Sequence, residues 1–253
     1  DFKGTITDVG GATANMWQMG CGSPEAHAVC RRASCVYPTV CKFFTTDHGP
    51  LIDLYEKARA VKGVKHLFVG SGVRYDVAQA DEQNGARYLK ELVAHHVSGQ
   101  LKVAPEHVCE PVLAVMKKPK VDSFERFRKD FARYTKEAGK EQYLVPYFIS
   151  SHPGSSLEEA AQLMEYLQRN NWRPQQVQDF MPTPMTLASD MFWSGYHPMT
   201  GKPVHVTRDM HEKKLQKALL RWGDPANKPL VEEALRRTGR LKPGQRLGPG
   251  MRP

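Results

Sequence analysis

The chain has 253 residues, 40% hydrophobic and 25% charged, and its 36 Lys and Arg outnumber 27 Asp and Glu for a net charge of +9. This length can bury a sizeable core. No stretch approaches the roughly eighteen apolar residues that cross a membrane, and no apolar segment with a basic flank marks secretion. A basic surplus attracts phosphate, although much of it here is diffuse and reads as a solvated face.

Five β-type runs alternate with helical ones. "GTITDV" (Gly4 to Val9) alternates in polarity and meets Gly10-Gly11, and "HLFVGSG" (His66 to Gly72) is an apolar run ending in glycines. "LKVAPEH" (Leu101 to His107) runs into a proline, "YLVPYFISSHPG" (Tyr143 to Gly154) is the strongest β-branched and aromatic stretch, and "QQVQDFMP" (Gln175 to Pro182) is the weakest. Between them "GPLIDLYEKARAV", "NGARYLKELVAHHV" and "SFERFRKDFARYTKEAG" repeat apolar residues at helical spacing. Pro50 sits in the first turn of one, and Phe124, Phe127, Phe131 and Tyr134 line one face of another. "SSLEEAAQLMEYLQRN" opens with two overlapping Ser-x-x-Glu capping signals.

Strands alternating with helices predict an α/β fold of parallel units, an open sheet or a barrel. Ligands in such folds sit at the carboxyl ends of the strands. There the chain places Gly10-Gly11, Ser71-Gly72, Glu106-His107 and His152-Pro153-Gly154. After Asn171 the character changes to Pro, Met and aromatics, then to two helical runs, "HEKKLQKALLRW" and "PLVEEALRRTG". A domain boundary is expected near Trp172. The Gly- and Pro-rich stretch 239–253, with four basic and no acidic residues, reads as a disordered basic tail.

Phosphate-loop chemistry finds little support. "GSGVRY" lacks the third glycine of a dinucleotide fingerprint, and neither GxxxxGK[ST] nor GxSxG occurs. His95 and His96 are adjacent on a helix and face apart, whereas His107 and His152 follow strands and are candidates to face a ligand. The remaining signal is "CGSPEAHAVCRRASCVYPTVC", which holds Cys21, Cys30, Cys35 and Cys41, four of the five cysteines. An odd cysteine total without a secretory leader argues against a disulfide scaffold and for a reducing, cytoplasmic setting. The spacing shows no Cys-x2-Cys zinc knuckle, yet four converging thiolates suffice for a metal or an iron–sulfur cluster. Arg31 and Arg32 beside Cys30 favour thiolate. Metal, cluster and inert packing all remain open on spacing alone.

"FKGTITDVGGATANM", "CRRASCVYPTVC", "TDHGPLIDLYEKAR", "GSGVRYDVA", "LKVAPEH", "KEQYLVPYFISSHPGSS" and "MPTPMTLASDMFWSGYHP" together resemble the radical SAM proteins of the YgiQ family, over roughly Asp1 to Gly239. The resemblance implies a partial (β/α) radical SAM barrel, later strands only, over 1–172 with a Cys-rich insertion at 16–48. A small, mainly helical C-terminal domain over 173–238 and the tail would follow. The family's implied activity is reductive cleavage of S-adenosylmethionine by a [4Fe–4S] cluster, giving a 5′-deoxyadenosyl radical that takes hydrogen from a substrate, with electrons from an external donor. The family's Cys-x3-Cys-x2-Cys cluster motif is not in this chain. The chain opens on Asp1, which reads as a fragment starting downstream of that motif and inactive alone.

The resemblance also implies site residues. Gly10 and Gly11 match the paired glycines whose carbonyls receive the cofactor's amino group, with Thr13 and Asn15 on the same turn. Arg74 would pair with the cofactor carboxylate, Glu106 would take the ribose hydroxyls, and the turn at His152 and Gly154 would present amides near the adenosine. Cys21, Cys30, Cys35 and Cys41 would hold an auxiliary cluster, with zinc as the alternative. Cys109 is expected to be a packed or solvent-facing thiol. A reading from another class is a basic RNA-binding module stiffened by a four-cysteine zinc site, using Lys117, Lys118, Lys120, Arg126, Arg128 and Lys129 on phosphates.

Overall fold

Each β-type run contains a strand, most of them shorter than the run itself. They are β1 (Thr5–Ile6), β2 (His66–Leu67), β3 (Gln100–Glu106), β4 (Tyr143–Ser150) and β5 (Gln178–Asp179). The computed structural model describes residues 2–11, 13–175 and 177–248, so Gln176 in the last run lies outside the described residues. β1 and β2 pair in parallel with Thr5 opposite His66, while β3, β4 and β5 are neighbours in that order, β4 and β5 in parallel with Ile149 opposite Gln178. An isolated parallel bridge joins Val73 to Val103. This is a mixed α/β fold with short parallel sheets, and among the described residues they do not close into a barrel.

The helices are α1 (Pro24–Val29), α2 (Gly49–Arg59), α3 (Tyr75–Ala80), α4 (Gly85–Glu91), α5 (Glu110–Met116), α6 (Val121–Glu137), α7 (Leu157–Arg169), α8 (Leu187–Ser194), α9 (Met210–Leu220) and α10 (Lys228–Arg237). Residues up to Pro105 and Pro119–Pro146 form one unit; Glu106–Lys118 and the chain from Tyr147 form a second. These limits differ from the boundary read near Trp172.

The first unit is built as its periodicity dictates. Along β3, Leu101 and Val103 are buried while Lys102 is exposed, the alternation of a half-buried strand. On α6, Phe124, Phe127, Phe131 and Tyr134 are all buried, each full burial of such a ring being worth roughly 2 kcal/mol. Phe124 and Phe127 pack on Tyr75 of α3 with centroids 5.6 Å apart. Beside them the Ser123 hydroxyl donates to the Gln79 side-chain carbonyl (2.6 Å), and the Gln79 amide returns a bond to the Ser123 carbonyl (2.9 Å). The helix predicted from "NGARYLKELVAHHV" loosens into a π turn at Leu92–His96. That turn buries His96, whose Nδ1–H donates to the Leu67 carbonyl at the end of β2 (2.7 Å), and leaves His95 on the surface.

The second unit packs α7, α9 and α10 around Leu163, Leu167, Leu219, Val231 and Leu235. Trp222 is fully buried and donates its indole N–H to the Trp172 carbonyl (2.9 Å). Of the two overlapping capping signals at α7, the structure uses Ser156 with Glu159. Within the stretch read as a tail, Leu241 and Leu247 are buried, the Leu247 N–H donates to Glu232 (3.1 Å), and Arg240 pairs with Glu158 and Glu165. Two leucines with apolar surface to cover and one fully engaged guanidinium outweigh the Gly and Pro around them. Residues 249–253 of that stretch lie outside the described residues.

Gly85 marks the tightest approach in the first unit. A Cβ there would meet the Ala78 carbonyl oxygen at 2.0 Å, a backbone atom that cannot swing aside. Gly85→Ala is expected to lower stability by about 2 kcal/mol or more; an unchanged urea midpoint would contradict this packing.

Candidate functional site

In the first unit the turns that follow β1 and β2 are stitched together. The Val9 N–H donates to the Phe68 carbonyl (2.8 Å) and the Ala14 N–H to the Gly72 carbonyl (3.2 Å). The Asp8 carboxylate accepts from the Gly70 N–H (3.0 Å), the Ser71 N–H (3.2 Å) and the Ser71 hydroxyl. These donors, the Ser71 hydroxyl first, hold its pKa below the usual aspartate value. Gly10 is needed for room, since a Cβ would lie 2.9 Å from the Ala14 Cβ. A Cβ on Gly11 would meet nothing within 4 Å. Gly10, Gly11 and Thr13 line a pocket of ≈ 380 Å³ with Trp17, Leu51, Leu54 and Tyr55. The Tyr55 hydroxyl is buried beside the Tyr88 hydroxyl, and burial pushes its pKa up to about 12.

A buried polar chain fixes this corner. Asn15 is fully buried, and its side-chain carbonyl accepts from the Arg74 N–H (2.6 Å) while its amide donates to the Arg74 carbonyl (2.9 Å) and to His48 Nε2 (3.2 Å). His48 donates from Nδ1 to Asp81 (2.8 Å), whose carboxylate also accepts the backbone N–H groups of His48, Gln83 and Asn84. Burial depresses the His48 pKa against the pull of Asp81, which keeps the ring neutral and its Nε2 an acceptor. Asn15 was expected at a ligand. In the structure its amide bonds Arg74 and His48, which fixes the turn.

Arg74, expected at the cofactor carboxylate, has a carboxylate beside it already. Its guanidinium fork is occupied by Asp76, with Nε 2.8 Å from Oδ1, so a carboxylate ligand would have to displace a neighbour only two positions away. Glu106, Gly154 and His152 belong to the second unit. Glu106 sits at φ 66° and pairs with Lys118 at 3.3 Å. The turn expected to present free amides is closed internally: the N–H groups of Gly154, Ser155 and Ser156 go to the His205 carbonyl, the His152 carbonyl and the Glu159 carboxylate. His152 is buried against Phe180, with Nδ1 on the Pro153 carbonyl. Gln216, fully buried on α9, holds the same turn by accepting from the Ser151 N–H and donating to the Ser155 carbonyl and the Thr207 hydroxyl. His107 is buried, accepting the Cys109 N–H at Nδ1, and its Nε2 lies 3.5 Å from the Ser155 hydroxyl.

Cys21, Cys30, Cys35 and Cys41 all carry free thiols and line one pocket of ≈ 470 Å³ in the first unit. Among the described residues no group of three or more His, Cys, Asp or Glu side chains is set to hold a single metal ion. Cys109 is packed, its thiol donating to Gln162 (3.1 Å) and its pKa raised by burial to about 12. Of the basic residues offered to RNA, Lys118 pairs with Glu106 and Arg128 with Glu125. No helix among the described residues is long and apolar enough to cross a membrane.

The chain is 48% identical over 241 residues to a UPF0313 protein of Methanosarcina acetivorans, an overlap of 95% of this chain and 32% of that protein. It is 46% identical over 244 residues to the UPF0313 protein YgiQ of Escherichia coli K12, covering 94% of this chain and 32% of the relative. The chain belongs to the UPF0313 (YgiQ) family. It spans about a third of the length of these curated relatives. A domain family described as "Domain of unknown function (DUF3362)" matches residues 175–242. No solved structure matches the chain.

In this UPF0313 segment the residues that reading the sequence passed over are Asp8, His48, Asp81 and Gln216. Asp8 immediately precedes the glycine turn and His48 precedes the Gly49-Pro50 helix start, signals a closer reading can use. Asp81 and Gln216 carry no local signal, because their partners lie far away along the chain.

Replacing Asn15 by Leu removes three hydrogen bonds and strands the Arg74 backbone groups. It should cost about 2–4 kcal/mol in unfolding free energy, and no loss would contradict the relay. His107 has its pKa depressed by burial to about 4. Its neutral form favours the folded state, so the contribution is complete above the unfolded value near 6.5 and is lost as pH falls toward 4. Between pH 7 and pH 5 the parent should lose about 2 kcal/mol more than His107→Asn; parallel urea curves for the two would refute this.

Proposed function

We propose that this chain forms the later strands of a partial (β/α) radical SAM barrel and carries part of the S-adenosylmethionine site of a radical SAM enzyme. One observation supports the reading above the rest. The turns after two adjacent parallel strands are tied together, and the β1 turn lines a pocket with the open face of Gly11. That is where α/β folds receive their ligands. The YgiQ-type relatives and the glycine pair at the end of β1 are in accord with it.

The residues present fit such a cofactor. Gly10 and Gly11 leave backbone exposed for an amino group, and Trp17, Leu51, Leu54 and Tyr55 offer walls for the rest of the ligand. When bound, S-adenosylmethionine and a [4Fe–4S] cluster ligated outside this chain supply the one-electron reductive cleavage that starts radical chemistry. The chain's own part is to bind and orient. Asp8 and Asn15 keep the two turns in register, so the pocket is shaped before any ligand arrives, and the apolar side chains exclude water from it. In this reading Arg74 meets a carboxylate only by leaving Asp76.

The test uses the full-length protein, prepared anaerobically and reduced with dithionite. It should release 5′-deoxyadenosine from S-adenosylmethionine, and Gly11→Leu, which fills the open face, should cut that release at least about ten-fold. Release that is absent from the parent, or indifferent to Gly11→Leu, would overturn the assignment.

A further inference from the structure

The segment 16–47 has no core of its own. Not one of its residues is buried, and α1 within it buries nothing. Ordering a backbone costs about 1–2 kcal/mol per residue, and a stretch of this length normally meets that cost with apolar burial or a bound metal. What holds it here is thin and exposed to water. Arg32 reaches the carbonyls of Ser34, Tyr37 and Thr39, and Thr45 bonds back to Gly20.

The thiols come from separate pieces of that segment. Cys21 lies on a bridge to Phe44, Cys30 caps α1, and the Cys41 N–H closes onto the Cys35 carbonyl (2.7 Å). All four nevertheless line the same pocket, together with Arg31 and Lys42. Their spacing is informative. A single zinc ion draws its sulfurs to about 2.3 Å from one centre, and no three of these side chains are so disposed. A cubane's four thiolates stand farther apart than those on a single zinc ion, and the four thiols here share the lining of one pocket of ≈ 470 Å³. The basic side chains on the wall complement the negative charge of a thiolate-ligated cluster.

We infer that Cys21, Cys30, Cys35 and Cys41 together ligate one [4Fe–4S] cluster, which serves as the missing core of residues 16–47. Assembly releases the four thiol protons and leaves every iron with a protein sulfur, so this cluster has no open position for a substrate. Its role is to hold the segment. The inference stands apart from the proposed S-adenosylmethionine site, since neither its ligands nor its test involves that cofactor.

The 253-residue chain, which lacks Cys-x3-Cys-x2-Cys, is reconstituted anaerobically with equal amounts of ferrous and ferric iron and with sulfide, which together make the [4Fe–4S]2+ state with no net electron transfer, then assayed for iron, sulfide and zinc. The expected result is a brown protein with about four irons and four sulfides per chain. Cys→Ser at 21, 30, 35 or 41 should each lower iron content at least about two-fold, while Cys109→Ser leaves it unchanged. Loading should also slow tryptic cleavage at Arg31 and Arg32 about ten-fold or more, a readout that requires ordering of the segment. Colourless protein, stoichiometric zinc in place of iron, iron insensitive to the four substitutions, or unchanged proteolysis would each overturn the inference.

Discussion

The corner of the first unit depends on one buried chain of hydrogen bonds, from Asp81 through His48 and Asn15 to the Arg74 backbone. Each member has its donors and acceptors matched, which is the condition under which a buried polar network adds order instead of costing stability. Its effect is positional. Asn15 sits one residue from Ala14, whose N–H meets Gly72, and four beyond Gly11, so the glycine turn cannot drift from the turn after β2. Asp8 reinforces the same joint from the surface side.

The second unit applies the same device with a different residue. Gln216 is carried on α9 into the interior, where its amide serves the turn between β4 and α7. The capping box at Ser156 and Glu159 then takes the next amide. These bonds fix the backbone of the turn, and its neighbour His107 is kept neutral by burial. Polar groups here are structural because the protein has already partnered them.

The Cys-rich segment is the contrast. Elsewhere the chain builds a buried apolar core, while over 16–47 no side chain is fully buried and four thiols line one pocket. Hydrophobic burial and soft-metal ligation are alternative ways to order a short stretch of chain, and the residue types present, cysteines and arginines in place of leucines, suit the second.

How much of this was legible follows from which interactions are local. The five strand positions, the apolar face of α6 and the α7 cap are written in neighbouring residues, because alternation, helical spacing and Ser-x-x-Glu act within a few positions. The same holds for the glycine turn after β1, where a strand end and two glycines sit side by side. The role of Asn15 was not legible, since its partners Arg74 and His48 arrive from distant segments. Nor was the closure of the His152–Gly154 turn, which needs His205 and Gln216, or the folding-back of Leu241 and Leu247, which composition counts as tail. Local pattern was enough to show which stretches become strands or amphipathic helices and which small residues mark the turns. Only the tertiary structure decided which polar groups are already spent on one another, because a hydrogen bond is assigned by distance in space and not by separation along the chain.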